Sequence, residues 1–207
     1  MKFPCLLASA VLALPVSVAS AQIRVEITEV PYTAPYAFLG FFFETGGAQN
    51  VIRTSDMAEI ATPQSGFGLR MHSARDRNVQ LEFEFGYRKL DLTGAGAGAQ
   101  DIGLMSFHLG GRLHPRFPQF GLGNNIAVRV TGSALGGYAF DMADTTYDGG
   151  NAGGMDIKMS AGLAFSGRTD PSALTAEVVY RQSKLTGARF SVQPSWALRF
   201  GFVFGPG

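Results

Sequence analysis

Along most of the chain, apolar and polar positions alternate residue by residue. The clearest run is Val79-Gln80-Leu81-Glu82-Phe83-Glu84-Phe85-Gly86-Tyr87-Arg88, with apolar residues at odd positions and polar residues or glycine at even ones. Successive side chains of a β-strand point to opposite faces, so this run predicts a strand with one greasy face. The same period sets Phe67/Leu69/Met71 against Gly68/Arg70/His72, and Met105/Phe107/Leu109 against Ser106/His108/Gly110/Arg112. Farther on it sets Ile126/Val128/Val130 against Arg129/Thr131/Ser133, and Ile157/Met159/Leu163/Phe165 against Lys158/Ser160/Gly162. It continues with Leu174/Val178/Tyr180 against Thr175/Glu177/Arg181, and Trp196/Leu198/Phe200/Phe202/Phe204 against Arg199/Gly201. Phenylalanines crowd both faces of residues 37–45; placing Leu39, Phe41 and Phe43 outward turns Glu44 inward.

Eight strands follow, at about 37–45, 64–73, 78–89, 102–113, 125–140, 156–166, 173–183 and 195–204. Soluble strands average five or six residues, whereas most of these reach or exceed the roughly 9–11 that a tilted strand needs to cross a membrane. From these bounds the connections run long, short, long, medium, long, short and long, the first (46–63) being a long loop. That is the order expected when outer loops alternate with short periplasmic turns and both termini are periplasmic.

Which face is wet follows from residue size. A soluble sandwich would bury the apolar face and hydrate the polar one. Here the polar face carries Gly68, Gly86, Ser106, Gly110, Ser133, Ser160, Gly162 and Gly201. Water does not require small side chains, but the crowded interior of an eight-strand barrel does. The apolar face places aromatics near strand ends. Tyr87, Tyr138, Tyr180 and Trp196 fall at one rim and Phe202 and Phe204 at the other, as girdles do at two water–lipid boundaries. The fold class is therefore all-β: an eight-stranded antiparallel up-and-down transmembrane β-barrel over 37–204, ending in a short tail, 205–207.

The N-terminus reads as an export signal. Lys2 precedes the apolar run Leu6–Val18, and Ala19-Ser20-Ala21 forms a small-residue cleavage site that leaves Gln22 first. The apolar run is shorter than the roughly 20 residues that span hydrocarbon. Residues 22–36 read as a periplasmic lead-in; a ninth strand, or a ten-strand barrel if Asn50–Arg53 also pairs, are the alternatives. Export signal, eight amphipathic strands, alternating connections and an aromatic-rich last strand together resemble the small outer-membrane barrels of the OmpA/OmpX type. That resemblance implies the outer membrane of a Gram-negative bacterium, insertion by the barrel-insertion machinery, and a monomer. In such proteins a terminal aromatic ends the last strand; here Gly205-Pro206-Gly207 follow Phe204.

Composition narrows the chemistry. Charged residues are 16% of the chain and glycines number 27, and loss of Lys2 with the signal leaves the mature charges balanced. A neutral chain is a poor generic ligand for nucleic acid. The one cysteine, Cys5, lies in the signal, so the mature chain offers no thiolate for a zinc site. The inward face collects Arg70, Arg88, Arg112, Arg129, Lys158, Arg181 and Arg199 against Glu44, Glu82, Glu84 and Glu177, an excess of three cations. Buried charges must pair or be solvated, so this set predicts a lumen plugged by ion pairs rather than a pore. An anion path is the sharper alternative.

No catalytic residues, metal or cofactor are assigned. The rival, a lipid A-modifying enzyme, needs a nucleophile and base in reach, but Ser106 and His108 stand two apart on one strand, roughly 6–7 Å between Cβ atoms. His72 and His114 fall near the periplasmic rim. Asp141, Asp144, Asp148 and Asp156 read as one acidic, glycine-rich outer loop without EF-hand spacing, and Gly94–Gly98 as a flexible loop tip. Lys89 and Lys184 close their strands beside Tyr87 and Tyr180, where lipopolysaccharide phosphates lie, so outer-membrane lipid and lipopolysaccharide are the expected partners.

Overall fold

A computed structural model describes residues 38–53, 57, 59–74, 79–90, 102–113, 119–122, 126–142, 153–167, 172–186 and 190–204. The export signal, the lead-in 22–36, His114, Gly94–Gly98 and the tail 205–207 lie outside them. The strands are β1 (Phe38–Arg53), β2 (Glu59–Ala74), β3 (Val79–Leu90), β4 (Ile102–Leu113), β5 (Gln119–Leu122), β6 (Ile126–Asp141), β7 (Gly153–Gly167), β8 (Ala173–Thr186), β9 (Phe190–Val192) and β10 (Ser195–Phe204). Eight of them pair in chain order, each antiparallel to the next: β1, β2, β3, β4, β6, β7, β8 and β10. β10 then pairs with β1 from Leu39↔Phe204 to Gly46↔Ala197, and the sheet closes on itself. Closure leaves these strands no free edge, so their backbone donors and acceptors meet within the barrel. One end of the barrel joins its strands across 75–78, 114–125 and 168–172, two of these connections being short; the other joins them across 54–58, 91–101, 142–152 and 187–194, of which only the first is as short.

Six of the eight predicted strands fall within three residues of their expected bounds. The first two depart from them. The expected loop 46–63 is mostly strand, because β1 runs to Arg53 and β2 starts at Glu59. Asn50–Arg53 does pair, but as the continuation of β1 against β2 and β9 rather than as a separate strand. A bulge between Gly46 and Ala48 gives β1 one extra residue relative to β2. Such an insertion shifts the alternation by one. Below it Phe42 and Glu44 point inward; above it Gln49 and Val51 do. The facing strand makes the same switch around Gln193-Pro194, where Val192 and then Ser195 are buried. Pro194 interrupts the strand while Gln193 N still donates to Asn50 O at 3.0 Å.

β5 and β9 were not expected from the pattern; they are too short to show a period. β5 adds to the first residues of β6 at the turn end, below the point where β4 stops. There Val128, on the apolar side of the alternation, is buried at 6% exposure opposite Phe165, not open to lipid.

Candidate functional site: the charged lumen

The inward positions of the barrel strands converge on one ion network. Glu44 is its hub. Its Oε1 accepts from Arg199 Nε at 2.9 Å and Nη2 at 2.5 Å and lies 3.3 Å from Lys158 Nζ, while its Oε2 accepts from Arg181 Nη2 at 3.0 Å. Glu84, across the lumen on β3, accepts from Lys158 and lies 2.9 Å from Arg199 Nη1. Toward the turn end, Glu177 takes Arg112 and, at 3.2 Å, Arg70 Nη1. Arg112 Nη1 also donates to Glu82 at 3.2 Å. Lys158, Arg70, Glu82, Glu84 and Arg199 are fully buried. Alternation supplies this inward set, and closure brings together residues more than 100 positions apart, such as Arg70 with Glu177.

Phe42 supplies an aromatic floor that the crowded Phe38–Phe43 segment obscured. Its ring carries Arg199 at 4.4 Å, Lys158 at 5.3 Å and Arg70 at 5.5 Å from the centroid, and the ring's negative face attracts each. The ring fills the space beside Gly68, where a Cβ would overlap both it and the Phe85 carbonyl oxygen. That close approach is why a glycine stands there.

Toward the long-loop end the charges thin into a polar layer. Arg88 donates to Gln49 Oε1 at 3.0 Å and to Ser183 Oγ at 3.2 Å, and Ser183 donates to Asp156 Oδ1 at 2.7 Å. His108 Nε2 lies 2.9 Å from Asp156 Oδ2. Asp156 corrects the expected loop: it is 1% exposed on β7, and Asp141 is buried at the end of β6. The signal was present, since Asp156 shares parity with Lys158 and Ser160. With Asp156 included, the buried network holds six cations and five carboxylates, close to balance rather than three cations in excess. The seventh expected cation, Arg129, is half-buried at the turn end. His72, two residues from the turn-end limit of β2, is buried on the inward face, with Nε2 3.9 Å from Glu82. Ser106 and His108 both face inward as expected, but Ser106 Oγ donates to Gly86 O at 3.5 Å.

The outer face is the complement. Phe41, Phe43, Leu81, Leu109, Leu198 and Phe200 are each half or more exposed, while Arg70, Lys158 and Arg199 show no surface at all. Water would force the reverse, and hydrocarbon demands this arrangement.

The protein is an eight-stranded transmembrane β-barrel.

Its girdle residues all face out. Tyr180 and Trp196 rings lie 5.0 Å apart, Tyr87 lies 5.5 Å from Phe67, and Phe202 and Phe204 pack edge-on at 4.5 Å. Tyr138 is exposed. Lys89 and Lys184 are exposed on β3 and β8, two and four residues beyond Tyr87 and Tyr180.

No protein-family model matches the sequence, and no curated protein matches it. Among solved structures, the barrel is similar to Neisserial surface protein A (NspA), at 12% identity over 82% of this chain and 97% of that one, with a TM-score of 0.49. It is also similar to Ail, the attachment invasion locus protein of Yersinia pestis (16%, 81% and 97%, TM-score 0.40). A third is the N-terminal β-barrel domain of Pseudomonas aeruginosa OprF (11%, 82% and 98%, TM-score 0.41). The likeness is to the small outer-membrane barrels and concerns fold alone.

Proposed function

We propose that this is a monomeric, non-catalytic outer-membrane protein of a Gram-negative bacterium. Its lumen is plugged, and its role is structural or recognitional, exercised through the outer rim and loops. The observation that carries this reading is the ion network itself. Glu44, Glu84 and Glu177 each bind two or more cations from opposite walls, so the bore is bridged at its middle. An ion crossing it would have to displace desolvated pairs, which costs several kcal/mol per charge. The end with the two short connections, 75–78 and 168–172, is read as periplasmic, and the end with the longer 91–101 and 142–152 as outer.

The rival enzyme reading has one observation in its favour, the His108–Asp156 pair, which has the geometry of a base with its orienting acid. Both members are sealed in the lumen, while a lipid substrate would lie outside it. At the outer rim, Lys89 and Lys184 are placed to hold lipopolysaccharide phosphates as point charges beside Tyr87 and Tyr180. Two experiments test the reading. Purified protein refolded into planar bilayers should leave conductance at baseline; a steady open channel would overturn the plug. Replacing Lys89 and Lys184 together by Gln should lower thermal stability in lipopolysaccharide but not in neutral detergent; identical curves would remove the lipopolysaccharide anchor.

A further inference from the structure

The outer end of the barrel inverts its own polarity. Val51, Leu90, Ile102, Leu104 and Val192 form a buried apolar cluster at inward positions, with Ile60, Leu185 and Phe190 packed against it. They lie just beyond the Arg88–Gln49–Ser183 layer. On the outside at this level, Asn50, Glu59, Ala61, Pro63, Ser65, Lys89, Gln182, Lys184 and Ser191 are exposed. β2 shows the change on one strand: outward Met71, Leu69 and Phe67 give way to Ser65, Pro63, Ala61 and Glu59. β1 makes it through the Gly46/Ala48 bulge, which turns Val51 in and Asn50 out.

Apolar inside with polar outside belongs to a sheet in water; the reverse belongs to a barrel in lipid. We propose that the outer end, on the side of β8, β9, β1, β2 and β3, is an aqueous extension with its own apolar core, which rises from the bilayer and closes the charged lumen toward the cell exterior. This rests on the outer-membrane reading and adds to it where the bilayer ends. From Ser65 to Glu59, β2 rises about 20 Å along the strand, or about 14 Å in height at a tilt near 45°. The extension is one-sided. Near the outer ends of β4, β6 and β7 the outward side chains are still apolar, at Met105, Phe140 and Met155, with only Gly103 and Gly153 beyond them on β4 and β7 and the exposed Met142 just after β6. Lys89 and Lys184 then stand just above the boundary, and the ion network can exchange water only from the periplasmic side.

The mature chain lacks cysteine, so single cysteines report the boundary directly. Ala61→Cys and Leu69→Cys both face outward from β2; Leu104→Cys lies in the cluster, with Val51→Cys as its substitute should it misfold. Each is refolded into phosphatidylcholine vesicles, checked by gel shift without boiling, and freeze–thawed with a charged maleimide so that both membrane faces meet the reagent. A thiol must ionise in water to react, so Ala61→Cys should label at least about tenfold faster than Leu69→Cys and Leu104→Cys. Slow labelling at both 61 and 69 would overturn the extension while leaving the transmembrane barrel standing. Fast labelling at 69 would overturn the bilayer reading and the extension with it. Labelling of folded Leu104→Cys or Val51→Cys as fast as Ala61→Cys would overturn the sealed core.

Discussion

Glu44→Gln is the substitution to which the lumen should respond most sharply. The carboxylate lies at 3% exposure and meets three cations. Two of them keep another carboxylate: Arg199 retains Glu84 at 2.9 Å and Glu177 at 3.5 Å, and Lys158 retains Glu84. Among the described ion pairs, Arg181 retains only Asp156, at 3.7 Å. The substitution therefore leaves six buried cations facing four carboxylates, and an amide turns two N–H donors toward groups that also donate. Removing one partner of a buried ion pair costs about 3–5 kcal/mol, and that is the expected loss here. Glu59→Gln is the control, since Glu59 is exposed and bound only to Asn50 in the described hydrogen bonds; its loss should stay below about 0.5 kcal/mol. Urea unfolding in lipid vesicles, followed by the emission of Trp196 on the outer girdle, reads both. The midpoint should fall with the slope unchanged. A cycle with Arg181→Met separates the pair from its surroundings: the double variant should be more stable than the summed single losses by at least about 1 kcal/mol. If Glu44→Gln matched Glu59→Gln, or the two lumen substitutions simply added, the hub assigned to Glu44 would be wrong.

Phe83→Arg, at a half-exposed position on the lipid face, should cost about 2–4 kcal/mol by the same urea assay, whereas Ser65→Arg, above the proposed boundary, should cost less than about 1 kcal/mol. Gly68→Ala should destabilise by about 1–3 kcal/mol because the new methyl overlaps Phe42 and the Phe85 carbonyl. Gly111→Ala, with nothing within 4 Å of the new atom, should be neutral or stabilising by under about 1 kcal/mol; equal losses at the two glycines would contradict the packing. Phe42→Leu should cost about 1–3 kcal/mol in the same assay, since the ring beneath Arg199, Lys158 and Arg70 is lost; an unchanged midpoint would deny it that role.

Alternation alone identified which side chains share a face. It placed Glu44 inward within a run of phenylalanines, picked out every arginine and the lysine of the network, and put Tyr87, Tyr180 and Trp196 outside. The reason is mechanical: a strand has period two, so one well-placed charge orients its neighbours. Length and side-chain size then separated lipid from water, because a narrow barrel has no room inside for large residues on every strand. Three features escaped that reading. The parity switch at Gly46/Ala48 is invisible to a period-two rule, which assumes an unbroken strand; the segment beyond it was therefore read as loop. Asp156 was assigned to an acidic loop because charge among glycines looks the same whether or not the backbone pairs. Leu90, Ile102 and Leu104 have the parity of the lumen but the polarity of the lipid face, a conflict that only their shared cluster with Val51 and Val192 resolves. Leu90 and Ile102 face each other across consecutive strands, but meeting Val51 and Val192 joins strands far apart in sequence, which the closed barrel brings together. What each residue faces was local information; what it meets there was settled by closure, because the register around the ring is a property of all eight strands at once.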